Sequence, residues 1–170
     1  MKTLYILRHA KAELGKDGQE DSERTLSERG REACASIGAY VREKSYTPSL
    51  VLCSPAARTR ETYELAMQAA EISPTVRYEK GIYLASPTTL LQLIQGTDNN
   101  QDSLLIVGHN PAMHQLAFSL AQPANTVLYK GLMTKYSTGT LTVLCFPVDS
   151  WQDIAQGKGN LIDVRSPAAS

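Results

Sequence analysis

Thr3-Leu4-Tyr5-Ile6-Leu7-Arg8-His9 decides the reading of this chain. Five residues of an apolar-rich run have the length of a short buried strand, and the run stops at a cation and an imidazole. Two further runs end in the same manner. Leu50-Val51-Leu52-Cys53 leads into Ser54-Pro55-Ala56-Ala57-Arg58, and Leu104-Leu105-Ile106-Val107 leads into Gly108-His109-Asn110-Pro111. Three strands would thus each deliver an arginine or histidine just past their C-terminal ends. In open parallel α/β sheets that edge is where ligands bind.

Between these runs the pattern changes to helical spacing. Thr25-Leu26-Ser27-Glu28 has the form of a capping box, followed by Ala33, Ile37, Tyr40 and Val41 on one face, which predicts a helix to about residue 44. Pro55 marks a second helix start, running to about Glu71. Thr75 to Tyr78 reads as a strand, Ser86-Pro87 opens a helix ending near Gly96, and Asn110-Pro111 opens another carrying Met113, Leu116, Ala117 and Leu120. Gly139 to Phe146 alternates as a late strand. Strands alternating with helices predict an α/β class, a three-layer α/β/α sandwich with a mostly parallel central sheet. The expected organisation is one domain over 1–170, frayed at 166–170.

The bulk properties narrow the function. Seventeen basic and seventeen acidic residues give a formal net charge of zero, which argues against a nucleic-acid-binding surface. The first apolar run is shorter than a signal-peptide core of about 7–15 residues, and no run approaches the ~20 of a spanning helix. A soluble, cytoplasmic protein without membrane contact is expected. Cys34, Cys53 and Cys145 form no C-x-x-C pair; Cys34 and Cys53 read as small core residues. His114 reads as a surface residue, and three histidines without clustered partners predict neither a metal site nor a cofactor.

A phosphoryl group needs its oxygen charge matched, and arginine does so with a planar fork of donors. Arg8 and Arg58 supply two forks; helix starts near Pro55 and Asn110 add backbone amides, that of Asn110 among them. A neutral imidazole, its other nitrogen held by an acceptor, is a nucleophile for in-line attack. His9 is the candidate nucleophile, and His109 the donor across the phosphate. Each alone has a duller reading, as a strand cap, a solvated helix arginine or a turn histidine. Their coincidence at successive strand ends favours the phosphoryl pocket.

These residues also carry a resemblance. Leu7-Arg8-His9-Ala10, Arg24-Thr25-Leu26-Ser27-Glu28-Arg29-Gly30, Ser54-Pro55-Ala56-Ala57-Arg58-Thr59-Arg60-Glu61-Thr62 and Gly108-His109-Asn110-Pro111 resemble, in order, four motifs of the histidine phosphatase superfamily. Ala10, the Gly-His-Asn-Pro segment, Tyr83-Leu84-Ala85-Ser86-Pro87 and the short chain resemble its small bacterial phosphohistidine phosphatase branch. The resemblance implies a phosphoglycerate-mutase-like fold, His9 as phosphoacceptor, Arg8 and Arg58 as clamps and His109 as electrostatic partner. It implies bacterial signalling as the setting and a phosphohistidine-bearing protein as substrate. Many relatives place a carboxylic acid after the third strand; Glu79 stands there in a poorly matching context, with Glu13 and Asp17 as other candidates. Arg24 reads as a helix-entry salt bridge. Expelling imidazole, with a pKa of about 6.5, needs little acid help, so a site without an obvious acid suits phosphohistidine. Short connections without a lid insertion point the same way. The alternatives are a phosphatase for small phosphoesters and a non-catalytic phosphoprotein-binding module. The oligomeric state is not legible.

Overall fold

The structure is a computed structural model that describes residues 1–167. Its strands are β1 (Lys2–Arg8), β2 (Leu50–Cys53), β3 (Thr75–Tyr78), β4 (Ser103–Gly108), β5 (Leu141–Phe146) and β6 (Asn160–Arg165). Its helices are α1 (Glu28–Glu43), α2 (Ala57–Ala70), α3 (Pro87–Gln95), α4 (Ala112–Leu120) and α5 (Val127–Thr134). All six strands join one sheet in the order β3-β2-β4-β1-β5-β6. The first four pair in parallel; β5 runs antiparallel to β1, and β6 antiparallel to β5.

The period of two along the strands divides the core into two faces. On one, Leu4 and Ile6 of β1 pack with Leu52, Ile106, Phe146 and side chains from α3 and α4, including Leu90, Met113 and Leu116. On the other, Tyr5 and Leu7 pack with Val51, Val107 and Val143 against Ile37 and Val41 of α1 and Met67 and Ala70 of α2. Continuous apolar runs in β1, β2 and β4 follow from this burial on both sides. The three-layer, mostly parallel architecture is therefore the one expected, and Cys34 and Cys53 lie in its interior.

The differences are local. Thr25 does not cap α1: its carbonyl accepts from Glu13 N, 2.8 Å, and Leu26 bridges to Ala12. Ser27 is the cap, its side chain accepting from Gly30 N at 3.1 Å. The second helix begins at Ala57, two residues after Pro55. α5 and β6 have no counterpart in the sequence reading. β6 is an edge strand whose residues are all exposed or half-buried, so it lacks an apolar run to announce it. Of the tail expected to fray, Ser166 Oγ lies 3.2 Å from Thr140 Oγ1, and 168–170 fall outside the described residues. Among the described residues no helix is long and apolar enough to cross a membrane.

The topology places the site. β4 lies between β1 and β2, with Arg8 in register with Gly108 and Cys53 with Val107. The residues following the three strands therefore sit side by side, His109 in the middle. The chain moves outward through β2 and β3 with α2 on one face, then returns through α3 on the other to β4. Such a reversal opens a crevice at the carboxyl ends of the strands.

Candidate active site

His9 follows the last residue of β1 and is held by its backbone on both sides. Its N–H donates to the Gly108 carbonyl at 3.0 Å, and its carbonyl accepts from Gly139 N at 2.9 Å. Its ring Nδ1 lies 2.7 Å from the Ala10 carbonyl. A carbonyl only accepts, so Nδ1 carries the proton and Nε2 the lone pair. His9 is 9% exposed. Burial pushes it down to about 4; the Ala10 carbonyl opposes this, and the charges of Arg58, Arg8 and Arg24 reinforce it. The imidazole is thus neutral at ordinary pH.

His109 stands beside it, ring centroids 5.4 Å apart. Its Nε2 is 2.8 Å from Ser54 Oγ, and its Nδ1 is buried without a protein partner. Burial first, then Arg58 and His9, push it down to about 3, with Asp21 opposing. Arg8 donates through Nη1 to the Tyr136 carbonyl at 2.8 Å. Arg58, 5% exposed near the start of α2, donates through Nη1 to the Asp21 carbonyl at 2.9 Å and through Nη2 to Asp21 Oδ2 at 3.0 Å. The Nε atoms of both arginines are buried without a partner. The structure thus brings Arg8, His9, Arg58 and His109 together at one sheet edge.

Asn110 is beside them with its side chain already engaged. Its Nδ2 donates to the Tyr136 carbonyl at 3.1 Å and its Oδ1 accepts from His114 N at 3.2 Å. Glu79 follows β3, which pairs only with β2. Three strand spacings, roughly 14 Å, separate β3 from β1. Among the described residues the Glu79 carboxylate makes no hydrogen bond to the four. His114 is not the surface residue expected. Its ring stacks on Tyr136 at 5.1 Å and its Nε2 contacts the Leu132 carbonyl at 2.5 Å, because α5 folds over α4 and covers it. Arg24 pairs through Nε with Asp21 Oδ1 at 3.0 Å, in the turn before α1 and beside the Arg58 contact, and not in the helix-entry bridge expected.

Several groups at the site escaped the sequence reading. Thr62, four residues after Arg58, accepts from Ala10 N at 3.0 Å and donates to the Arg58 carbonyl, which locks the chain after His9 to α2. That i,i+4 spacing places both on one helix face and was a usable signal. Ser54 and Tyr136 act through a hydroxyl and a main-chain carbonyl. Asp21 and Tyr83 come from distant segments: the Tyr83 hydroxyl donates to Asp21 Oδ2, and its ring lies 5.3 Å from that of His109. Nor are all connections short. The stretch 9–27 brings Asp21 onto Arg58, and 121–140 brings Tyr136 onto Arg8.

Comparison with known proteins shows the family and the fold. The model of the histidine phosphatase superfamily (branch 1) matches residues 4–81. The uncharacterized protein MT1313 of Mycobacterium tuberculosis is 31% identical over 163 residues, 95% of this chain and 99% of its own. A solved structure from Agrobacterium tumefaciens, provisionally named phosphohistidine phosphatase SixA, is 30% identical and superposes with a TM-score of 0.81, covering 98% of each chain. Its counterpart from Nakamurella multipartitia, also provisionally so named, is 27% identical with a TM-score of 0.86, over 99% of this chain and 97% of that one. The protein histidine phosphatase SixA complexed with tungstate shares the fold at a TM-score of 0.78 and 19% identity, covering 97% of each. Likeness over nearly full length, in sequence and in fold, means that this chain belongs to the histidine phosphatase superfamily, in its small bacterial branch.

Proposed function

We propose that this chain hydrolyses a phosphoryl group through a covalent intermediate on His9, and that its preferred substrate is phosphohistidine on a partner protein. One observation carries the reading. A neutral imidazole with its lone pair on Nε2 stands among three buried nitrogens without protein partners, Arg8 Nε, Arg58 Nε and His109 Nδ1. A buried donor left unpaired costs about 1–3 kcal/mol, so three at one strand edge mark a site built for an anion.

His9 Nε2 attacks phosphorus in line while the bond to the leaving group breaks. Arg8 and Arg58 follow the equatorial oxygens as they flatten. With the Ser54 hydroxyl donating to His109 Nε2, the proton of neutral His109 sits on Nδ1 and reaches a phosphoryl oxygen. Water then attacks phospho-His9; its oxygen and both of its protons leave with the phosphate, and Nε2 regains its lone pair while the ring keeps its Nδ1 proton. A phosphohistidine protonated on its distal ring nitrogen releases neutral imidazole, whose conjugate acid has a pKa of about 6.5, without a further proton donor. An alkoxide needs a proton donor, and Glu79 lies away from the four residues. The provisional names of the Agrobacterium and Nakamurella relatives support the same substrate class.

The test compares kcat/KM for a phosphohistidine-bearing protein, p-nitrophenyl phosphate and an alkyl phosphate at equal pH and ionic strength. Phosphohistidine should be fastest and the alkyl ester slowest. A sugar phosphate or phosphoglycerate that outruns phosphohistidine, with its turnover abolished by Glu79→Gln, would replace this reading with a small-phosphoester phosphatase. Tight binding of the phosphoprotein without turnover would replace it with a binding module.

A further inference from the structure

We propose that Asp21 is a positioning residue that sets which edge of Arg58 faces the phosphoryl group. The inference rests on the phosphoryl-transfer reading above and deepens it.

A guanidinium offers an anion two bidentate edges, the Nη1–Nη2 end or the Nε–Nη side. At Arg8 the Tyr136 carbonyl takes Nη1, and Nε remains buried and unpartnered. At Arg58 one residue does the same with two acceptors: the Asp21 carbonyl takes Nη1 and its carboxylate takes Nη2. Nε again remains buried and unpartnered. Both arginines are thus anchored by their outer ends, leaving the Nε side as the edge for a ligand. To present the other edge, Arg58 would have to break both bonds to Asp21.

An ordinary exposed ion pair is worth about 0–1 kcal/mol and would hold nothing in place. This one differs in its connections. Asp21 lies in a 3-10 turn, Asp21–Glu23, and its carboxylate gathers donors from three segments. Arg58 comes from α2, Tyr83 from the stretch before α3, and Arg24 from the same loop. Arg24 is itself tied to the Glu13 carbonyl at 2.9 Å. The Tyr83 ring that Asp21 holds lies 5.3 Å from His109 and 5.9 Å from the Arg58 guanidinium. One carboxylate therefore fixes both an arginine and the aromatic wall beside His109. The Tyr83 hydroxyl first, then Arg58 and Arg24, hold this carboxyl well below the usual carboxylate range against the opposing effect of burial. It is an ionised acceptor at working pH, so it orients and does not serve as an acid.

The opposite role is also chemically definite. As a carboxylate on an arginine fork, Asp21 would compete with the phosphoryl oxygens, and removing it would tighten anion binding. Asp21→Ala and Asp21→Asn separate the two. As an orienter, its loss should lower kcat by about 10- to 100-fold, the scale of an ångström-sized misplacement, with KM changed by less than about 3-fold. Orthovanadate, which mimics the five-coordinate transition state, should lose affinity in parallel with kcat/KM while inorganic phosphate changes little. Asn keeps one acceptor oxygen and should recover part of the rate. A loss of fold alone would lower Tm without changing the vanadate-to-phosphate ratio.

A second readout does not depend on turnover. Tungstate added to the wild type should shift the Nε–H NMR signals of both Arg8 and Arg58, and in Asp21→Ala the Arg58 shift should vanish. Unchanged kinetics, tighter phosphate and vanadate, or a surviving Arg58 shift in Asp21→Ala would overturn the role of Asp21 and leave the phosphatase reading standing. A folded wild type that neither turns over phosphohistidine nor binds tungstate would overturn both.

Discussion

At His9 a single main-chain carbonyl decides the chemistry. Ala10 holds the Nδ1 proton, so the lone pair is on Nε2, and burial with three arginines nearby keeps the ring neutral down to about pH 4. An isolated histidine would lose nucleophilicity below about pH 6.5. The acid limb of kcat/KM should therefore fall near pH 4, provided that the substrate's own titration is removed by comparing two leaving groups. A limb at 6.5 common to both would mean that the ring is not held as described. His9→Asn should abolish turnover and the acid-labile phosphoryl label together; label on another residue would displace His9 as the acceptor. Arg58 permits a quantitative check. Lysine keeps the charge and loses the planar fork, so Arg58→Lys should lower kcat/KM by roughly 100-fold, the size of losing one transition-state donor. Near-normal kinetics would return Arg58 to a supporting role.

Among the elements, α2 carries the most. It bears Arg58 and Thr62, and it packs on α1 so closely that a Cβ at Gly38 would meet the Ala66 carbonyl at 2.3 Å and Ala69 Cβ at 2.5 Å. Gly38→Ala must push the two helices apart, an overpacking cost of about 1–3 kcal/mol. Because Thr62 ties α2 to the chain after His9, the displacement should reach the site. The expected result is a lowered denaturation midpoint and, at a temperature where the variant is still folded, a lowered kcat. Unchanged stability would mean that the helices give way without strain. The same elements show what a sequence can disclose. β1, β2 and β4 are legible because burial on both faces demands continuous apolar runs, and each ends at or just before a residue of the site. Ser86-Pro87 announces α3 with a cap whose side chain accepts from Thr89 N at 3.2 Å. Arg8, His9 and His109 are legible because they end or directly follow a strand, and Arg58 because it opens the helix after β2. The contact of Asp21 with Tyr83 is not, since it joins two connections across 62 positions and no local pattern announces it. Nor is the role of Tyr136, which reaches Arg8 through a carbonyl that every residue has. His114 misleads because its cover, α5, has no predicted counterpart.

For the whole molecule, the site sets how stability depends on pH. A histidine held neutral in the folded state binds its proton more readily once unfolded. Stability then rises with pH wherever the unfolded chain binds more protons. For His9 that window runs from the unfolded value of about 6.5 down to about 4; its contribution is complete above the window and lost as pH falls through it. His109 acts in the same direction down to about 3. Asp21 has the opposite charge and a later window. Its carboxyl is depressed on folding, so its contribution is intact through most of the histidine window and is lost as pH falls beneath about 4, where the His109 window still runs. Stability should therefore fall with pH in two overlapping phases, the histidine phase beginning first. At about 1.36 kcal/mol per unit, His9 alone accounts for at most about 3 kcal/mol between pH 6.5 and 4. Against a total of about 5–15 kcal/mol for a domain, this is a large share. Urea denaturation at pH 7, 5.5 and 4.5 should show a falling midpoint with an unchanged slope. Replacing both rings, in His9→Asn with His109→Asn, should flatten that fall while leaving the steeper loss below about pH 4. A wild-type midpoint that stays level from pH 6.5 to 4.5 would mean that the two imidazoles are not buried neutral, and the nucleophile assigned to His9 would lose its physical basis.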